Sequence, residues 1–139
     1  MASPDARAAR LRVHPIDFAP VVAGSKLEVR LPGELPHAAD VPCPVKIHAR
    51  DDSVEYGPAL AVLLEWWHEP LGAISAQSIA NEGFESLDEF RNYWRARHPD
   101  RGFRPLSQVT VFKVRPWQGE ADREHFALAI FDRMYGDAL

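Results

Sequence analysis

The stretch Asn81 to Trp94, Asn-Glu-Gly-Phe-Glu-Ser-Leu-Asp-Glu-Phe-Arg-Asn-Tyr-Trp, constrains this chain more tightly than any other. Gly83 suits the left-handed residue just past a helix end, where a side chain would be strained. Ser86-Leu87-Asp88-Glu89 has the form of a capping box. In it the Ser86 hydroxyl accepts from the Glu89 amide, and the Glu89 carboxylate reaches back to the Ser86 amide. Leu87, Phe90 and Trp94 then share one helical face. The segment predicts helix, tight turn, helix, with Glu82 at the seam as a candidate functional acid.

The flanking sequence supplies strands. Ala59 to Trp67 is apolar on both faces at its start, which predicts a central strand and sends Trp66 and Trp67 to opposite faces. Val45 to Ala49 is a strand candidate whose Arg50-Asp51-Asp52-Ser53 turn makes a hairpin. Val109 to Val114 is the last core strand. Leu11 to Ile16 reads as a short strand that Pro15 confines to an edge or an end. Asp17 to Ala23 reads as a helical turn capped by Asp17, with Phe18, Val21 and Val22 inward, ended by Gly24. Ser75 caps the first helix of the pair, with Ile74 and Ile79 as its hydrophobic staple. The second helix runs from Leu87 to about Arg97, where His98-Pro99 stops it.

Three parts follow: a frayed arm over residues 1–10, a domain over 11–116 and a helical extension over 117–139. Phe126, Ile130 and Met134 recur at helical spacing in that extension, while Phe126, Leu128 and Ile130 also fit a strand. Short strands framing an internal helical pair predict a compact α+β barrel rather than a βαβ repeat.

Charge and cysteine usage narrow the function. A net charge of −4 over 139 residues argues against coating duplex nucleic acid by bulk electrostatics, and leaves room for a local basic patch. The single cysteine, Cys43, cannot form an internal disulfide. No signal peptide and no apolar run of membrane-spanning length is evident, so a cytoplasmic protein is expected. The histidines show no paired metal spacing and there is no glycine-rich phosphate loop, so neither a metal nor another cofactor is expected.

Lys26 to Leu31 alternates strictly. Lys26, Glu28 and Arg30 point one way, and Leu27, Val29 and Leu31 the other. The charged trio fits a cleft wall, in which Arg30 holds a phosphate or carbonyl in fork geometry and Lys26 supplies a point charge or a depressed-pKa amine. It equally fits an ordinary strand with one solvated face. Trp66 or Trp67 could stack a base, although packing between elements is the more usual fate of tryptophan. Arg91, Arg95, Arg97, Arg101 and Arg104 form the most basic stretch, read either as a phosphate-tracking patch or as a solvated face balanced by Glu85, Asp88 and Glu89.

Taken together, Glu-Gly-Phe-Glu-Ser-Leu-Asp-Glu-Phe-Arg-Asn-Tyr-Trp (82–94), Val-Thr-Val-Phe-Lys-Val (109–114) and Ala-Gly-Ser-Lys-Leu-Glu-Val-Arg (23–30) resemble the ASCH domain family of the PUA-like superfamily. The resemblance spans about residues 16 to 115. It implies a small PUA-like β-barrel with helices at its openings, here with an extra C-terminal helix. It further implies RNA, single-stranded nucleic acid or a nucleoside-type ligand bound in a cleft. Some small bacterial ASCH proteins are amidohydrolases that remove the acetyl group from acetylated cytidine, using a Lys, a Thr and a Glu. Lys26 and Glu82 match two of these as candidate catalytic residues, with Glu28, Arg30, Trp66 and Trp67 as candidate ligand contacts. The Thr has no counterpart. The family pattern also carries one more residue between its Lys and its Glu, and the shortening here brings Lys26, Glu28 and Arg30 onto one face. A nuclease, a protein-interaction module and a homodimer through the C-terminal helix are the further readings.

Overall fold

A computed structural model describes residues 10–34 and 40–127. Five strands and four α-helices follow one another: β1 (Arg10–Arg12), α1 (Pro15–Ala23), β2 (Glu28–Pro32), β3 (Cys43–Asp51), β4 (Val54–Pro70), a 3-10 turn (Leu71–Ala73), α2 (Ala76–Asn81), α3 (Leu87–Arg97), β5 (Gln108–Pro116) and α4 (Gly119–His125). The strands form one mixed sheet in the order β1-β3-β4-β5-β2, with β1 parallel to β3 and every other neighbour antiparallel. The α+β class is as expected. The sheet is not closed among the described residues, however: β1 and β2 are its edges, so the expected barrel is represented by an open sheet.

β4 is the spine. It pairs with β3 along its first half and with β5 along its second. The register shifts between Leu63 and Glu65, so Leu64 is an extra residue that reverses the alternation. Ala61 and Leu63 on one side of that bulge and Trp66 on the other therefore share a core, with Val21, Val29, Val45, Ile47 and Phe112. Trp67 faces the other way, into a second core of Leu71, Phe90, Trp94, Val109 and Val111. The two tryptophans do take opposite faces, each against its own core.

Local signals hold with three corrections. The Ser86 hydroxyl accepts from the Glu89 amide at 3.1 Å, but the Glu89 carboxylate takes the Glu85 amide at 2.6 Å instead of the Ser86 amide. Asp17 does not cap α1. His14 is the N-cap, its Nδ1 accepting from the Ile16 amide at 3.2 Å, and Pro15 opens the helix, where a missing N–H costs nothing. Asp17 is thereby turned inward and buried. Of the trio assigned inward on α1, Val21 is buried and Phe18 packs on the core, whereas Val22 is exposed.

Arg10, assigned to the arm, opens β1; the rest of that arm, and Leu128, Ile130 and Met134 of the extension, lie outside the described residues. Phe126 is buried, against Trp117. No helix among the described residues is long and apolar enough to cross a membrane.

Candidate functional site

Three elements converge where β2 begins. The α2–α3 corner presents Glu82, which follows the last turn of α2; Gly83, at φ 92°, turns the chain immediately after it. The Leu27 amide donates to the Asn81 carbonyl at 2.6 Å, and this bond fastens the corner to the start of β2. Lys26 and Glu82 are thereby brought together. Lys26 Nζ lies 2.7 Å from Glu82 Oε1 and donates to the Glu82 backbone carbonyl at 3.0 Å.

Arg30 approaches from further along β2. Its Nη1 contacts Glu82 Oε2 at 2.9 Å and Glu28 Oε1 at 3.1 Å, while Nη2 lies 3.5 Å from Glu69 Oε2 on β4. Asn81 Nδ2 donates to the other Glu28 oxygen at 2.5 Å. Glu69 in turn accepts from the Trp67 indole N–H, which ties that tryptophan to the network at one remove.

Lys26, just ahead of β2, and Arg30 on it both reach Glu82, and Glu28 joins them through Arg30, but the trio is neither a solvated face nor a continuous cleft wall. Lys26, Glu28, Arg30 and Glu82 are only 3%, 2%, 5% and 3% exposed. Of these, Lys26 and Glu82 line an open cleft of about 300 Å³, together with Asp17, Phe84, Tyr93 and Arg97. Glu28 and Arg30 stand behind it as supports, and Trp66 and Trp67 do not line it.

Tyr93, Asp17 and Phe84 line the cleft and escaped the sequence reading as site residues. The Tyr93 hydroxyl donates to Asp17 Oδ2, and Asp17 Oδ1 lies 4.0 Å from Lys26 Nζ. Tyr93 shares the inward stripe of α3 with Phe90, and that spacing was its available signal. Lys26 Nζ also sits 4.7 Å from the Tyr93 ring centre and 5.0 Å from that of Phe84, a cation–π placement on two sides.

The electrostatics follow from burial. Loss of solvent pushes the Glu82 carboxyl above its ordinary range, against the opposing pull of Lys26 and Arg30 at contact distance. Burial, together with the Asp17 carboxylate, pushes the Tyr93 hydroxyl up as well, so it stays a donor. The cleft thus offers an ammonium, a carboxyl of raised pKa, a phenol and two aromatic faces. Its one aliphatic hydroxyl, Ser25, is occupied with the Pro20 carbonyl at 3.3 Å. Among the described residues no group of three or more His, Cys, Asp or Glu could hold a metal ion.

Solved structures share this arrangement of strands and helices. The ASCH protein from Zymomonas mobilis superposes with a TM-score of 0.54 at 19% identity, over 78% of this chain and 67% of that one. A point mutant of the same protein covers 85% of this chain and 80% of its own, at 18% identity and a TM-score of 0.53. This is an ASCH-type fold. A DUF984 protein from Enterococcus faecalis V583 is similar to this chain as well, with a TM-score of 0.51 at 16% identity over 78% of this chain and 71% of that one. Neither a protein-family model nor a curated protein matches the sequence.

Two of the five arginines in the basic stretch around α3 lie over neighbouring rings. Arg97 sits 4.7 Å over Tyr93, and Arg91 5.1 Å over Phe103. Only Arg97 of that stretch lines the cleft.

Proposed function

We propose that the Lys26–Glu82 cleft of this ASCH-type domain binds a nucleobase-containing ligand, RNA-related in class. The observation that carries the reading is the convergence of Lys26 and Glu82, 56 positions apart in sequence, on one open cleft with the Tyr93 and Phe84 rings beside them. A cleft of about 300 Å³ is of a size for one nucleoside. A base edge presents donors and acceptors together, and the cleft has both: the ammonium donates, the phenol oxygen, its proton given to Asp17, accepts, the carboxyl accepts or donates, and an aromatic face supports the ring. Arg97, at the rim, is suited to a phosphate.

Titration of the 15N-labelled protein with cytidine, uridine and a short oligouridylate tests this. Amide shifts should concentrate at Lys26, Gly83, Phe84 and Tyr93. No movement at those positions at millimolar ligand would remove the idea. Incubating the same protein with acetylcytidine and looking for released acetate adds a reading of chemistry. With no free aliphatic hydroxyl in the cleft, any hydrolysis would use water as the direct nucleophile.

A further inference from the structure

A second concavity lies at the other end of α1, on the outer side of β1 and β3. Leu11 and Val13 face the core, which turns Arg10 and Arg12 outward; Val45, Ile47 and Ala49 face the core, which turns Lys46, His48 and Arg50 outward. Parallel pairing then sets Arg10 beside Lys46 and Arg12 beside His48. These residues, with Tyr56 opposite, line a trough of about 420 Å³.

Its charge runs against that of the chain, which is −4 overall. The one carboxylate lining it, Glu55, lies 4.0 Å from Arg50 with both side chains more than half exposed, a pairing of little strength. Arg10, Arg12 and Lys46 have no acidic partner within ion-pair distance among the described residues. Four fixed cations on adjacent strands repel one another, and of them Arg50 has a structural bond, its Nε donating to the Asp52 carbonyl at 3.0 Å. An anion with several charges would relieve the repulsion.

The trough also connects to the cleft. Arg12 and Arg50 line both the trough and a neighbouring hollow of about 430 Å³, which holds His14 as well as Asp51 and Asp52. Ile16, 62% exposed, lines both that hollow and the Lys26–Glu82 cleft. The cleft, this hollow and the trough thus adjoin in series around the N-terminus of α1, with Ile16 between the first two and Arg12 and Arg50 between the last two.

We propose that the ligand is a single-stranded polynucleotide, one base of which enters the cleft while the adjoining phosphodiester backbone runs past Ile16 into the Arg10–Arg12–Lys46–Arg50 trough. The cleft end of this proposal rests on the reading given above; the trough end stands on its own residues. A single strand suits the path because its backbone can turn around a helix end while one base is splayed out. His48 reports occupancy: burial and the neighbouring Arg12 and Arg10 hold its pKa below the ordinary value, with Glu55 opposing, and a phosphate in the trough would raise it.

The test compares wild type with Arg12→Gln/Lys46→Gln, two exposed side chains whose loss leaves the core intact. Binding of a dodecauridylate is measured by calorimetry across a salt series, beside uridine and a twelve-base-pair duplex. The double variant should bind the dodecauridylate roughly tenfold more weakly at low salt, with a salt slope shallower by about 1.4, as expected for two lost phosphate contacts on a single strand. Its uridine shifts at the cleft should be unchanged. Equal affinity and slope for variant and wild type would overturn the trough, and so would failure of wild type to bind the dodecauridylate; uridine shifts in either case would leave the cleft reading standing. A duplex that binds as tightly as the single strand would overturn the proposed path.

Discussion

Lys26 and Glu82 are almost wholly removed from water, and each depends on the other. Two cations and one carboxylate meet there, with Glu28 and Glu69 completing the charge balance around Arg30. Breaking a buried pair leaves an uncompensated charge, so Lys26→Met, which takes the nearest cation from Glu82, should cost about 3 kcal/mol. Urea unfolding measures it; a change below 0.5 kcal/mol would mean that solvent reaches Glu82 freely. The pH dependence has a definite sign. The folded pKa of Glu82 is raised, so between the ordinary carboxylate pKa and that raised value the folded protein holds a proton that the unfolded chain has lost. Its contribution is full below that window and declines as pH rises through it. The difference in stability between wild type and Glu82→Gln should therefore shrink as pH rises from 4 toward neutrality. His14 runs the opposite way. Burial, with Arg97, holds its pKa below 6.5, and its Nδ1 caps α1 only when unprotonated. That stability is present above the ordinary histidine pKa and lost as pH falls through the lowered one. His14→Asn, a cap without a titrating nitrogen, should flatten this part of the melting-temperature profile between pH 5 and 7.5.

At the scale of elements, the α2–α3 corner and β2 act as one unit through the Leu27–Asn81 backbone bond and the turn at Gly83. A Cβ on Gly83 would meet only the Ser25 carbonyl, at an ordinary 3.5 Å, so substitution there is costly for its φ of 92° and not for crowding. Gly83→Ala should destabilise by roughly 1–2 kcal/mol, and Gly83→Asn by less, since asparagine visits the left-handed region more readily. Equal losses for the two in urea melts would point to packing instead. This corner was also the most legible part of the chain, because cap, turn glycine and apolar stripe are signals contained within fourteen consecutive residues. The Ser86 cap and the limits of α3 emerge as read, and only the partner of the Glu89 carboxylate differs. What stayed hidden depends on pairing between distant segments. The Leu64 bulge is invisible in an apolar run, and the cationic trough exists only because β1 lies parallel on β3. Arg10, Arg12, Lys46 and Arg50 are unremarkable in sequence, whereas the conspicuous arginines of α3 turn out to lie partly over rings. Burial of all of Lys26, Glu28 and Arg30 was equally beyond reach: alternation says which residues share a side, not whether that side meets water.

For the whole molecule, the two apolar cores sit on opposite faces of one sheet and draw on the same two strands. Trp66 and Phe112 serve the core beneath α1; their neighbours Trp67 and Val111 serve the core beneath α3. Neither face can separate from the sheet without exposing β4 or β5, each of which is lined on its other side by the remaining core. The described chain should therefore unfold as one cooperative unit despite having two cores. Ile47→Ala, wholly buried in the first core, should cost about 2–5 kcal/mol, and Phe90→Ala, wholly buried in the second, about 3–5 kcal/mol. The decisive observation is the behaviour of methyl resonances in urea. Val45 reports the first core, and Val109 with Val111 the second; in wild type and in both variants their native signals should vanish at a single midpoint that moves with each substitution. Loss of the Val109 and Val111 signals in Phe90→Ala at a urea concentration where Val45 stays native would show instead that the α3 face opens alone. The corner that holds Glu82 against Lys26 would then be a separately melting part, and the cleft could be lost without the sheet.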